Sequence, residues 1–289
     1  MSRAPQALPP AAPPTGGTPV PPPRSDVPFV AALVVLGGVY GLLILALLLA
    51  QASFTSPGHL LAALGSPEIR YAIRLSLLSC SMTTILSLWV AVPLGYLLAR
   101  FEFRGKHLLD ALLDIPIVLP PLVIGLALLI LFQTLPGRWF ERHVLGVTFA
   151  VPSVVLAQFT VAAAFAVRTM RVTFDQINPR QEQVALTLGC TRGQAFWLVV
   201  LPEARRGLVT AATLAWARSL GEFGPILVFS GATRMRTEVL PTSVYLELSI
   251  GNIEAAVAVS LLMVLAAVTV LIILRYAGLE ASLGRAVRP

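Results

Sequence analysis

Two opposite charges, Arg218 and Glu222, stand four residues apart in a stretch over residues 207–233 that is otherwise uncharged and mostly apolar. Residues at i and i+4 share a helix face, and a lone ion in hydrocarbon costs about 2.5–3.5 kcal/mol even on insertion scales. The spacing therefore predicts an ion pair turned toward the interior of a helix bundle. It would serve either transport or the pinning of its helix to neighbouring ones.

The other groups with chemical potential point away from catalysis. Asp110 and Asp114 share one helix face by the same spacing, but they lie outside the apolar depth and read as a solvated helix entrance. His59, His107 and His143 fall in three different loops, so no zinc set is expected. Cys80 sits in an apolar run and Cys190 in a polar stretch far along the chain, which predicts two unpaired thiols and not a metal or redox site. The Gly105-Lys106 pair is followed by His107 where a phosphate-binding loop needs Ser or Thr for magnesium. Such a chain is expected to hold no cofactor of its own and to hydrolyse no ATP.

The elements that position these residues follow from hydropathy. Of 289 residues 56% are hydrophobic and 12% charged, against roughly 25% charged in a soluble domain, so the chain cannot cover its own apolar surface with polar groups. The net charge of +7 is dispersed between apolar runs instead of gathered on one face, which argues against a nucleic-acid partner. Six long apolar runs are present, over residues 28–50, 75–99, 115–137, 144–167, 207–233 and 255–274. Each approaches or exceeds the roughly 20 residues that span a bilayer as a helix. The predicted fold is an all-α integral membrane protein of about six transmembrane helices.

Nine of the 23 prolines fall within residues 1–25, a composition that predicts a disordered tail over 1–26. The first apolar run begins too late and is too long for a signal peptide, so 27–51 is expected to remain as a span. A core is expected over 70–275 and a short tail over 276–289. With the N-terminus inside, 14 of the Arg and Lys residues fall on the cytoplasmic side and six outside, with Arg218 in the membrane. This bias predicts that both termini are cytoplasmic.

Pro120-Pro121 removes two backbone donors in the middle of the third run and predicts a break or kink there. A bilayer tolerates the freed carbonyls only where they face protein or water, which suits a permeation path and equally a kink that shapes packing. The long inside segment, 171–206, has a helical pattern on both sides of Gly189, with Pro202 as a stop signal. Two short helices joined by a turn at Gly189 are predicted. No internal repeat of the kind found in secondary transporters is evident, and an intramembrane enzyme would need reactive groups that the spans lack.

The segment Glu182-Gln183-Val184-Ala185-x-x-Leu188-Gly189, with Pro202 thirteen residues after the glycine, resembles the cytoplasmic loop of bacterial ABC importer permeases. Either Glu182 or Gln183 fills the acidic position of the family pattern, and Val184-Ala185 stands where that pattern has two alanines. Leu119-Pro120-Pro121-Leu122-Val123-Ile124-Gly125 and Ala217-Arg218-Ser219-Leu220-Gly221-Glu222-Phe223-Gly224 are similar to oxyanion importer permeases. Residues 237–246 look like the molybdate and tungstate branch, with sulfate as its near neighbour.

The resemblance implies a permease in the bacterial inner membrane with a type I importer fold. Glu182, Gln183, Ala185, Leu188, Gly189 and Pro202 would couple it to a separate ATPase dimer, which holds ATP and Mg. Pro120, Pro121, Arg218 and Glu222 are the implied candidates for the path. The remaining implied partners are an extracytoplasmic binding protein and a second permease copy, as a homodimer. In such a path an arginine tempered by Glu222 would release a divalent oxyanion that a bare arginine would retain.

Overall fold

The structure, a computed structural model, describes residues 27–283; the predicted tail over 1–26 and the last residues of the predicted tail over 276–289 lie outside the described residues. Among the described residues every regular element is helical. The first helix, α1 (Val27–Phe54), is apolar along its whole length and, up to Ala50, forms a unit of its own. The chain from Gln51 onward forms the second unit.

That second unit opens with α2 (Pro57–Gly65) and α3 (Pro67–Arg100), each started by a serine cap followed by proline. The serine oxygen accepts an orphan backbone N–H, and proline at the first helical position has none to lose. Next come α4 (Lys106–Val118), α5 (Pro121–Gln133), α6 (Leu135–His143) and α7 (Val151–Gln176). A short α8 (Pro179–Thr187) leads to α9 (Arg192–Ala195), a π-helical turn over Phe196–Val200, α10 (Leu201–Glu203) and α11 (Arg205–Leu220). The chain then forms α12 (Gly224–Phe229), α13 (Leu240–Ser249) and α14 (Ile253–Leu283).

The core is α3 packed along α7, with α11 against both. Small residues set the spacing: Ala91, Ala162, Ala166, Ala211 and Ala215 are buried around Met170 and Phe174. At Gly95 an added Cβ would come within 2.8 Å of the Met170 Cβ, so these two helix backbones touch at a point where no other residue fits. Gly207 meets Thr173 in the same way and brings α11 onto α7.

Helices occupy most of each of the six apolar runs, though in different forms. α1, α3, α7 and residues 253–274 of α14 are each long and apolar enough to cross a membrane as one helix. The third run is a bent pair, α4 and α5, turning by 113° at Leu119-Pro120. Pro120 supplies no N–H at this corner, and Pro121 starts the new helix, as its fixed φ favours. The fifth run is broken between Leu220 and Gly224, leaving α11 at 16 residues, about 24 Å of helix, which is less than a bilayer core. The fourth span starts at Val151 instead of 144, and α14 stays helical past the expected boundary at 276.

Two expectations are corrected. Pro202 does not end a helix: the preceding π turn, in which Leu201 N–H reaches back to Phe196 O, shifts the hydrogen-bond register by one residue. The widened turn makes room for a proline that would otherwise clash with the carbonyl four residues back, so the helical path continues into α11. Asp110 and Asp114 are not a merely solvated entrance. Asp114 pairs with Arg168 at 2.8 Å and Asp110 with Arg171, which clamps α4 onto the last turns of α7.

Candidate translocation path and coupling surface

The residues around Gly189 form the two-part arrangement expected of them. Asn178 caps α8 through the Arg180 N–H, and the helix stops where Gly189 takes φ +91°, the left-handed region in which a side chain is strained. Thr191 and Gln194 then cap α9 reciprocally. The faces of α8 divide cleanly. Glu182 and Ala185 are buried, whereas Gln183 is exposed, Val184 is 57% exposed and Leu188 80%.

Glu182 is thus the inward acidic residue, and its contacts lie within the chain. Tyr96 donates its phenol hydrogen to Glu182 Oε1 at 2.5 Å, and the Arg100 guanidinium lies 3.4 Å from Oε2. Arg100 also donates to the Ile177 carbonyl at 2.8 Å, just before α8 begins. Helix α8 is therefore fastened to the C-terminal end of α3, with Tyr96 packed edge-on against Phe174. Pro202 stands apart from this cluster, in the helical continuation described above.

The two motifs expected along a path meet at α5 and α12. A Cβ on Gly224 would fall 2.8 Å from the Pro121 Cβ, and one on Gly125 would fall 2.8 Å from the Pro225 Cα. Pro120 is exposed beside this contact. Two residues before Gly224, Glu222 is 1% exposed, and its Oε2 lies 2.6 Å from Arg218 Nη1. The arginine side chain is 28% exposed and its guanidinium carbon lies 5.9 Å from the Phe165 ring centre, within cation–π range. So the pair forms as predicted, but across the end of α11 and not along one continuous helix.

Residues 91–280 match the family described as binding-protein-dependent transport system inner membrane component. The chain belongs to this family. It is similar to the sulfate transport system permease protein of Escherichia coli K12, at 33% identity over 77% of this chain and 80% of the relative. It is 37% identical to the molybdenum transport system permease protein of Mycobacterium tuberculosis H37Rv, over 73% and 80% respectively. A molybdate/tungstate transport system permease protein of Pyrococcus abyssi is 36% identical over 58% of this chain and 64% of its own length. The fold matches the crystal structure of a bacterial ABC transporter that imports alginate, with a TM-score of 0.71 at 14% identity, covering 88% of this chain and 96% of that one.

This inner-membrane permease also holds groups that the sequence reading passed over. Gln158 of α7 is buried and ties three helices together. It accepts from Thr83 Oγ1 of α3 at 3.2 Å and donates to the Ser219 carbonyl of α11 at 3.2 Å, with Cys80 Sγ 3.7 Å away. At the break after Leu220 the Ser219 carbonyl accepts the Glu222 N–H at 3.2 Å, and the Gln158 amide adds a second donor to the same oxygen, which ties α7 to the broken end of α11. The one amide in an otherwise uncharged run was the available signal.

Near the N-terminal end of α3 a second polar group fastens the loop before α13. Ser243 donates to the buried Glu238 at 2.9 Å, and Ser76 of α3 accepts the Leu240 N–H at 2.8 Å. Arg234 pairs with Glu247 at 2.7 Å, and that hydrogen bond raises the arginine above its ordinary pKa.

Proposed function

We propose that this chain is the membrane subunit through which an ATP-driven importer moves a tetrahedral oxyanion, with molybdate or tungstate first and sulfate second. The supporting observation is the pairing of a buried carboxylate with a partly exposed arginine, Glu222 with Arg218, at a helix break in a chain whose relatives are named for those anions. The arginine supplies attraction and the carboxylate limits it, so that binding stays weak enough for release. Pro120 and Pro121, at the facing corner, would let the break open and close.

Energy would come from a separate ATPase dimer docking on the exposed face of α8 around Gln183, Val184 and Leu188. Its movement would reach the spans through Glu182, Tyr96 and Arg100, with Gly189 holding the angle between α8 and the helical stretch after it. Ala185 packs inward under this helix. A binding protein on the opposite side would deliver the anion, and a second copy of the chain would complete the path. Both termini would be cytoplasmic. The clustering of α8 with the C-terminal ends of α3 and α7 supports one cytoplasmic end for all three.

The test is uptake of labelled molybdate and sulfate by cells that lack their own permeases and express this chain with its neighbouring ATPase and binding protein. Molybdate uptake inhibited by excess tungstate supports the first reading. Sulfate uptake insensitive to molybdate supports the second, and uptake of neither overturns both.

A further inference from the structure

At the N-terminal end of α3, away from the coupling end, Pro67, Arg70, Tyr71, Arg74 and Met235 line a cavity of about 260 Å³. Arg70 and Arg74 are exposed and stand one turn apart, where like charges repel. Among the described residues neither has a carboxylate within ion-pair distance, although Arg234 close by is paired with both Glu247 and Glu238. Glu68, two residues before Arg70, is engaged instead by the Ser66 hydroxyl at 2.6 Å. The protein thus spends its nearby carboxylates elsewhere and leaves two adjacent guanidinium groups facing one cavity.

The wall opposite is held in place. Tyr71 donates to the Arg236 carbonyl at 3.0 Å, which fastens the loop to α3, and Met235 takes φ +58°, a conformation uncommon for a residue with a side chain. The positive end of the α3 dipole adds to the field of Arg70 in its first turns. Planar guanidinium forks match the oxygen spacing of tetrahedral oxyanions, while Tyr71, whose one phenol hydrogen goes to the Arg236 carbonyl, holds the wall and does not donate to the ligand.

We infer that Arg70 and Arg74, with Tyr71 holding the facing loop in place, form a binding site for a tetrahedral oxyanion group at the outer mouth of the permease. Its outer placement rests on the importer reading above, but its anion chemistry does not. The group can come from the transported anion, captured after the binding protein releases it, or from the phosphate of an anionic lipid.

The full-length chain in nanodiscs of zwitterionic lipid is titrated with labelled sulfate and with molybdate as competitor, and lipids retained through purification are identified by mass spectrometry. Arg70→Gln/Arg74→Gln is compared with wild type and with Arg138→Gln, an exposed arginine elsewhere. Each lost charge-assisted contact is expected to weaken binding by about tenfold. Displaceable sulfate binding that the double variant loses and Arg138→Gln keeps supports the site with a free anion as ligand. Retained anionic lipid lost only in the double variant supports it with a headgroup as ligand. Equal anion and lipid retention in all three proteins overturns it. Because none of these readouts needs ATP or transport, failure of the importer reading would leave this result standing.

Discussion

Pro121 and Gly224, more than a hundred residues apart in sequence, are packed so closely that a Cβ at position 224 would lie 2.8 Å from the proline Cβ. This contact joins the corner that begins α5 to the break that begins α12. Each corner interrupts a helix, between Val118 and Pro121 and between Leu220 and Gly224, and the contact fixes one against the other.

Gly224→Val is expected to disturb both corners at once. Overpacking of this kind typically costs about 1–3 kcal/mol, and here the obstructing atoms belong to a proline ring that cannot rotate aside. The variant should reach the membrane, melt at a lower temperature in detergent and lose uptake. Wild-type melting and uptake would show that the contact is slack.

Gly189 offers a cleaner backbone test, because nothing lies within 4 Å of where its Cβ would be. Any effect of substitution must come from the φ of +91°. Asn tolerates the left-handed region, whereas a β-branched residue resists it by more than the usual 1–2 kcal/mol (about) for an L-residue. Gly189→Asn should keep uptake and ATPase co-purification, and Gly189→Val should lose uptake while staying in the membrane. Equal behaviour of the two variants would reduce the turn to an ordinary connection.

Glu182 is expected to act through α3 and not by touching the ATPase. Hydrogen bonds to charged groups contribute about 1.5–3 kcal/mol each, so Glu182→Ala should free α8 from Tyr96 and Arg100. ATP turnover should then persist with little uptake. Tyr96→Phe removes one of the two contacts and should fall between the variant and wild type. If Glu182→Ala abolishes ATPase binding and Tyr96→Phe has no effect, Glu182 meets the partner directly.

Much of this architecture was legible because hydrocarbon imposes a simple demand, long uncharged runs, and residues 28–50 and 75–99 satisfy it within single helices. The break at 221–223 is marked only by Gly221 and Gly224-Pro225, which the length of the run outweighed. What holds its shape is the Gln158 amide at the Ser219 carbonyl and Pro121 against Gly224, both set by tertiary packing. Pro202 read locally as a stop, but a π turn absorbed it. The partners of Asp110 and Asp114 lie 61 and 54 residues away, beyond any local pattern. The Arg218–Glu222 pair was visible since one i,i+4 spacing held both its charges.

The strongest demand on that pair comes from the burial of Glu222. At 1% exposure its charge has Arg218 at 2.6 Å as counter-ion, and removing one partner of a buried pair usually destabilises by about 3–5 kcal/mol. Glu222→Gln is milder, since the amide keeps the shape and an oxygen acceptor for the guanidinium while removing the charge. If the pair tempers anion binding, the variant should insert and assemble normally yet retain anion and take it up slowly, because Arg218 then carries an unneutralised charge. Arg218→Gln should give the opposite fault, weak anion retention with the buried carboxylate unpaired. Loss of Glu222→Gln protein from the membrane would mark the pair as a structural pin, and unchanged uptake in both variants would remove it from the transport step.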